Sequence, residues 1–237
     1  MTLKICLAGL GASLACSAVF AGPLLSETFD DITTLAASGW VLTNNSAPPG
    51  TPWFQGNSAI FPAVSGAPNS YIAANYTSAE QGGIVSNISN WLITPQLALA
   101  NGETLNFALR LFGEGYLDTV EVYLSTNGAS VNVGSTDTSI GDFGLLQSFA
   151  STSDTGWMMK SLTLSDLGAP ASGRFAFRYT ARSNDGDYVG IDSVLVSAQA
   201  VPEPGTLALA TLGLGALAWR RRSRGAKLPS VDPVAVS

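Results

Sequence analysis

With no histidine and only two cysteines in 237 residues, this chain must do its chemistry through oxygen atoms. Cys6 and Cys16 both lie in the apolar N-terminal stretch. Zinc sites of Cys and His, disulfide staples, and Ser-His-Asp or Cys-His nucleophiles are therefore excluded from the body by inventory. Carboxylates remain. Glu27, Asp30 and Asp31 cluster where an opening strand would lie, and Asp192 interrupts an apolar run near the end of the body. If the first and last strands lie side by side, Glu27, Asp30 and Asp192 converge. With backbone carbonyls they would then supply the six to eight oxygens that a structural Ca²⁺ takes. A lone charge among Ile191, Val194 and Val196 is costly, so without a cation Asp192 needs an arginine or backbone amides. Asn184-Asp185-Gly186-Asp187 resembles the start of a calcium loop but lacks the later EF-hand ligands, and reads as a plain turn.

The second chemistry open to these residues is stacking against sugar rings. Trp53, Phe54, Tyr71, Tyr76 and Tyr116 stand in polar, turn-rich stretches. Trp53, Tyr71, Tyr76 and Tyr116 are the candidate ligand-binding side chains, and the alternative is that they plug the core beneath long loops. Trp40, Trp91 and Trp157 are flanked by strand residues and read as core. Glycoside hydrolysis needs only a pair of acids, and the segment 22–200 holds fifteen. No spacing singles out a pair, and G-x-S-x-G is absent, so no catalytic residue is assigned and the chain is read as non-enzymatic. Against those fifteen acids stand five basic residues, Arg110, Lys160, Arg174, Arg178 and Arg182. Such a surface repels phosphates, which excludes nucleic acid as a partner.

The elements that must position these side chains read as strands. Leu105, Phe107, Leu109 and Leu111 alternate with polar or small residues, as do Val120, Val122 and Leu124, and Phe175, Phe177 and Tyr179. Residues 188–196 are nearly continuously apolar or β-branched, the pattern of a strand covered on both faces. Weaker strands are predicted at 24–29, 39–43, 71–74, 91–94 and 157–164, with no amphipathic helix of useful length. Eight to twelve strands separated by Gly, Asn and Pro predict an all-β jelly-roll sandwich over 22–200.

The two ends of the chain read as addresses. Lys4, the apolar core of 5–19 and the small residues Val19 and Ala21 form a signal peptide, 1–21, for the Sec machinery, cut after Ala21. A lipoprotein acceptor at Cys16 is the rival reading. At the other end, Pro202, Glu203 and Pro204 close the body, since prolines continue neither sheet nor helix interior. An uncharged run follows at 206–219, then Arg220, Arg221, Arg222 and Arg224. As a helix its 14 residues span about 21 Å, short of the roughly 30 Å hydrocarbon core. Snorkelling arginines could make up the difference, and they belong on the cytoplasmic side. Residues 225–237 read as a disordered extension.

Pro202-Glu203-Pro204, the apolar run and the arginine cluster resemble the PEP-CTERM sorting signal. That resemblance implies recognition and cleavage of the tail by an exosortase, transient residence in the inner membrane, and release to the cell surface or extracellular matrix. The body is similar to the choice-of-anchor J, or cleaved-adhesin, group of MAM-like jelly rolls. It carries Glu27-Thr28-Phe29-Asp30, Gly39-Trp40, Trp53, Asn90-Trp91-Leu92-Ile93-Thr94-Pro95, Val122-Tyr123-Leu124-Ser125-Thr126, Trp157 and Gly190-Ile191-Asp192-Ser193-Val194 in that order. The resemblance implies a surface module for adhesion or carbohydrate binding, with a structural calcium in some members. The expected function is non-catalytic binding of extracellular polysaccharide, or adhesion. The alternatives are a purely structural or protein-binding matrix module and, third, a polysaccharide-active hydrolase.

Overall fold

The period-two alternation of the sequence becomes two packed sheets in the structure, a computed structural model that describes residues 22–80, 82, 85–198, 212–215 and 217. In chain order the strands are β1 (Leu25–Glu27), β2 (Val41–Asn44), β3 (Phe54–Gln55), β4 (Ile72–Asn75), β5 (Asn87–Ile93) and β6 (Leu97–Leu99). They continue as β7 (Thr104–Leu111), β8 (Asp118–Ser125), β9 (Gly144–Ser151), β10 (Met158–Thr163), β11 (Ala171–Arg182) and β12 (Tyr188–Ser197). One sheet runs β10-β7-β12-β4-β3, with β1 also beside β12. The other runs β2-β5-β11-β8-β9, with β6 also beside β11. All pairs are antiparallel. The expected jelly-roll sandwich is the fold, and residues 21–199 form one compact unit.

The long strand β12 shares one edge between two partners. Its residues 188–191 pair with β4, and its residues 194–196 pair with β1. At the changeover the register against β7 shifts between Asp192 and Leu195, and Ser193 adopts a φ of 52°. First and last strands do therefore lie side by side.

Alternation sorts the side chains into three apolar layers. Between the sheets, Phe107 on β7 meets Phe177 on β11 edge to face, ring centroids 5.0 Å apart. Val120, Val122, Phe175, Tyr179, Val189 and Ile191 join the same cluster. The outer face of β5, β8 and β11 carries Trp91, Tyr123 and Ala176, covered by Val133 and Phe143 from the loop before β9. The outer face of β4 and β12 carries Tyr71, Ala73 and Tyr188, covered by Phe61 from the loop before β4. A Cβ on Gly190 would sit 2.9 Å from both Phe61 and Trp157, so glycine lets that loop close down. This double cover explains the unbroken apolar run of β12.

Strand β9 was not legible in the sequence. It is the edge of its sheet, and Leu146 falls in a bulge opposite β8, which breaks the alternation. The expected signal peptide (1–21), Pro202 to Pro204, the arginines at 220–222 and the extension 225–237 lie outside the described residues. Of the chain ends, which form a separate unit, residues 212–215 and 217 are helical. Among the described residues no helix is long and apolar enough to cross a membrane.

Candidate functional site

Two of the four candidate platform residues are not on the surface. Trp53 is 2% exposed and Tyr71 is fully buried, which corrects their assignment as ligand-binding side chains. The Trp53 indole sits in the main core and donates to the Asn90 carbonyl at 3.2 Å. The Tyr71 ring stacks on Phe61, and its hydroxyl donates to the Asn57 carbonyl at 2.9 Å. Burial, reinforced by the hydrogen-bonded Tyr188, pushes that hydroxyl far above the usual tyrosine range, so it stays a neutral donor. Residue 71 immediately precedes β4 on its outer-facing phase, and the loop carrying Phe61 folds over it.

The three candidate metal ligands separate by role. Asp192 is buried at the β12 changeover, where its Oδ2 accepts the amides of Val64 at 3.0 Å and Ser65 at 3.2 Å. The Ser193 hydroxyl donates to its Oδ1. Burial raises its carboxyl above the usual aspartate range, against these hydrogen bonds. Of the three solutions open to a charge at this position, backbone donors are the one observed. Asp30 is exposed and approaches the same loop, with its Oδ1 against Gly66. Glu27 turns back to its own strand, accepting the Phe29 amide at 2.8 Å. Nearby, the Gln55 side-chain amide donates to the carbonyls of Phe29 and Asn69. Among the described residues no group of three or more His, Cys, Asp or Glu side chains is placed to hold a metal ion. Of the three candidates, Asp30 and Asp192 are the two whose carboxylates approach the 64–70 loop.

The other two platform residues do converge. Tyr76 opens the short 3-10 turn Tyr76–Ser78 after β4, a turn capped by the Asn75 side chain accepting from the Thr77 amide. Tyr116 ends the β7–β8 loop, in which Gly113, Glu114 and Gly115 all have positive φ (67°, 48° and 95°). The rings are 43% and 48% exposed. With Ser183, Asn184, Gly186 and Asp187 of the β11–β12 loop they line a concavity of about 380 Å³. Aromatic walls with a few convergent polar groups are what a small-ligand site needs.

Asp118 holds these walls together, and the sequence reading passed over it. It is fully buried at the start of β8. Its carboxylate accepts the Gly113 amide at 3.1 Å, the Asp187 amide at 2.8 Å, the Tyr188 amide at 3.3 Å and the Tyr179 hydroxyl at 2.8 Å. The first of these bonds orders the loop that carries Tyr116, and the next two order the loop that carries Asp187. The Tyr76 amide then donates to the Asp187 carbonyl at 3.0 Å, which ties in the third wall. A signal for this hub was present: Asp118 stands on the same strand phase as Val120 and Val122, which face the core. A charge on an inward phase demands partners. Gly186 completes the packing, since a Cβ there would lie 2.5 Å from the Tyr179 hydroxyl.

The concavity is acidic. Among the described residues Asp187 is its one charged lining residue. Burial first, and then the neighbouring charges of Asp118 and Glu114, raise its carboxyl above the usual range. A second groove of about 510 Å³ lies beyond the same loop and includes Leu117, Glu121, Arg178 and Arg182. There Arg178 is already occupied, donating to Ser89, Glu121 and the Asp137 carbonyl and lying over the Trp91 ring. Its charge is spent within the protein.

Residues 200–222 match the PEP-CTERM protein-sorting motif. The body has the fold of solved cleaved adhesin domains of Lys-gingipain. The K1 domain from Porphyromonas gingivalis W83 is 24% identical over 74% of this chain and 98% of that domain, with a TM-score of 0.52. The K3 domain from the same strain is 18% identical over 75% and 100%, also at 0.52. The K2 domain is 14% identical over 73% and 97%, at 0.51. At such identities the likeness is one of fold. No protein with curated annotation is significantly similar in sequence.

Proposed function

We propose that this exported protein, addressed by its PEP-CTERM tail, presents a sandwich that binds extracellular polysaccharide at the surface or in the matrix without catalysis. One observation carries the reading: Tyr76 and Tyr116, on loops of different strands, expose their rings into one concavity walled by polar side chains. Several other acids are already engaged within the protein. Asp118 has four protein donors, Glu121 is paired with Arg178 and accepts from Tyr123, and Asp137 accepts from Asn87. In this reading Sec exports the chain and an exosortase acts on the tail at the inner membrane.

The test is binding of the full chain, solubilised in neutral detergent, to a panel of neutral, acidic and amine-bearing polysaccharides. Replacing Tyr76 or Tyr116 by Ala is expected to weaken binding by about 1 kcal/mol each, or roughly fivefold. Silence across the panel ends the carbohydrate reading. Calcium enters as a structural ligand joining Asp30 and Asp192 across the 64–70 loop. A melting midpoint raised by calcium in the wild type but not in Asp192→Asn supports that role, and equal midpoints in calcium and chelator remove it.

A second reading, a module that joins other matrix proteins, is favoured by β9. All eight residues of this edge strand are uncharged, and Leu145 and Leu146 are exposed. Unpaired strand edges of this kind accept another chain.

A further inference from the structure

We infer that the sugar taken between Tyr76 and Tyr116 carries a free amine, so that the ligand is a polysaccharide containing amine-bearing hexosamine residues. The inference rests on the polysaccharide reading and names its substrate class.

Consider first what a bound group would meet. Among the described residues Asp187 is the only charged side chain lining the concavity, and no lysine or arginine lines it. Behind it stand Asp118, buried, and Glu114 on the loop that carries Tyr116. Asp118 has four donors already, so it offers a ligand its field and no contact. Low-dielectric surroundings strengthen that field. Two tyrosine rings line the same concavity, and aromatic rings attract ammonium groups through their quadrupoles. Rings and a carboxylate together make a cation receptor shaped for a ligand with an apolar face.

The other sugar classes fit less well. A uronate or sulfated sugar would bring a negative charge against Asp187 and its acidic neighbours, and like charges in contact repel. A neutral or N-acetylated sugar would meet the Asp187 carboxylate with hydroxyl or amide donors alone, which lack the opposite charge that strengthens such a bond. A protonated amine supplies that charge.

The rest of the body points the same way. Fifteen acids against five basic residues over 22–200 draw polycations and repel polyanions. Four of the five basic residues are engaged elsewhere, and the fifth lies outside the concavity. Arg110 is tied to Asp154, Arg178 to Glu121, and Arg174 to the carbonyls of Gly39 and Thr94. Lys160 lies over the Phe149 ring, and Arg182 lines the neighbouring groove. None is positioned to welcome an anion into the concavity.

The experiment compares β-1,4-linked glucosamine oligomers with their N-acetylated counterparts, neutral gluco-oligomers and oligogalacturonate of equal length. It measures calorimetric binding to the full chain in neutral detergent, at a pH where the amine is protonated. The free-amine oligomer is expected to bind about tenfold more tightly than the N-acetylated one, a difference of about 1.4 kcal/mol. Added salt should shrink that margin. Asp187→Asn should abolish the margin between the free-amine and N-acetylated oligomers. Glu114→Gln, with its side chain farther off, should shrink it partially. Circular dichroism confirms that each variant is folded. Equal affinity for all oligomers, or tighter binding of oligogalacturonate, overturns the amine inference and leaves the polysaccharide reading standing. Binding of none of them overturns both.

Discussion

At Asp118 the cost of a buried charge is balanced by geometry. Burial lifts its carboxyl above the usual range, while four hydrogen bonds pull the other way. Replacing it by Ala strands four donors. The expected loss is about 2–4 kcal/mol in urea unfolding, with sugar binding lost together with the loop order. Tyr76→Ala, by contrast, should weaken binding roughly fivefold at nearly unchanged stability. Asp154 shows the opposite electrostatics. Hydrogen bonds from the Arg110 side chain hold its carboxyl below the usual range, and Arg110 also lies 4.3 Å over the Phe61 ring. A depressed folded value means that the contribution is present above the unfolded value and disappears as pH falls through the folded one. The stability difference between wild type and Asp154→Asn is therefore expected to be up to about 1 kcal/mol at neutral pH and to vanish below the ordinary aspartate range. A difference that persists in acid would falsify the electrostatic account. At this scale the sequence announced Asp192 and Asp118 equally, as charges on apolar strands. Only Asp192 was noticed, because Asp118 stands at a strand end where a turn residue is unremarked.

Among the elements, loops do most of the positioning. The β7–β8 loop turns through three consecutive positive φ angles, and a Cβ on Gly113 would sit 2.5 Å from the Ser153 amide nitrogen. Gly113→Ala is expected to cost about 1–3 kcal/mol and to displace Tyr116, read as a joint loss of melting temperature and sugar affinity. Strand β9 poses the separate problem of an open edge. Among the described residues no strand pairs with it on the side away from β8. Leu145→Lys should change stability by no more than about 0.5 kcal/mol while suppressing association with other matrix proteins or with itself, measured by light scattering. Unchanged association would remove β9 from the protein-binding reading. The strong strands β7, β8, β11 and β12 were legible because each buries at least one face along its length. The edge strand β9 and the two-residue strand β3 were not, since an open side or a short span leaves no period to read.

For the molecule as a whole, address and cargo are separate problems. The sorting motif at 200–222 follows directly on the compact body and shares none of its described strands. Replacing Arg220, Arg221 and Arg222 by Ala is expected to block removal of the tail, so that mass spectrometry of the exported fraction finds residues beyond 224 retained. In the wild type the released form should end before the arginines. A wild-type product that keeps them would end the proposal that the tail is cut.

By itself the sequence determined the strand pattern, the absence of histidine and thiol chemistry from the body, the acidic surface and the sorting tail. All of these are local or compositional, carried by alternation over a few residues, by inventory, or by a contiguous motif. What only the tertiary structure decided is which aromatic rings face water. Tyr71 and Tyr76 flank β4, in similar sequence surroundings, yet one is sealed beneath Phe61 and the other lines the concavity. The difference depends on which distant loop folds over each ring, and on a buried carboxylate that holds three loops in place. Contacts between segments far apart in the chain leave no local period.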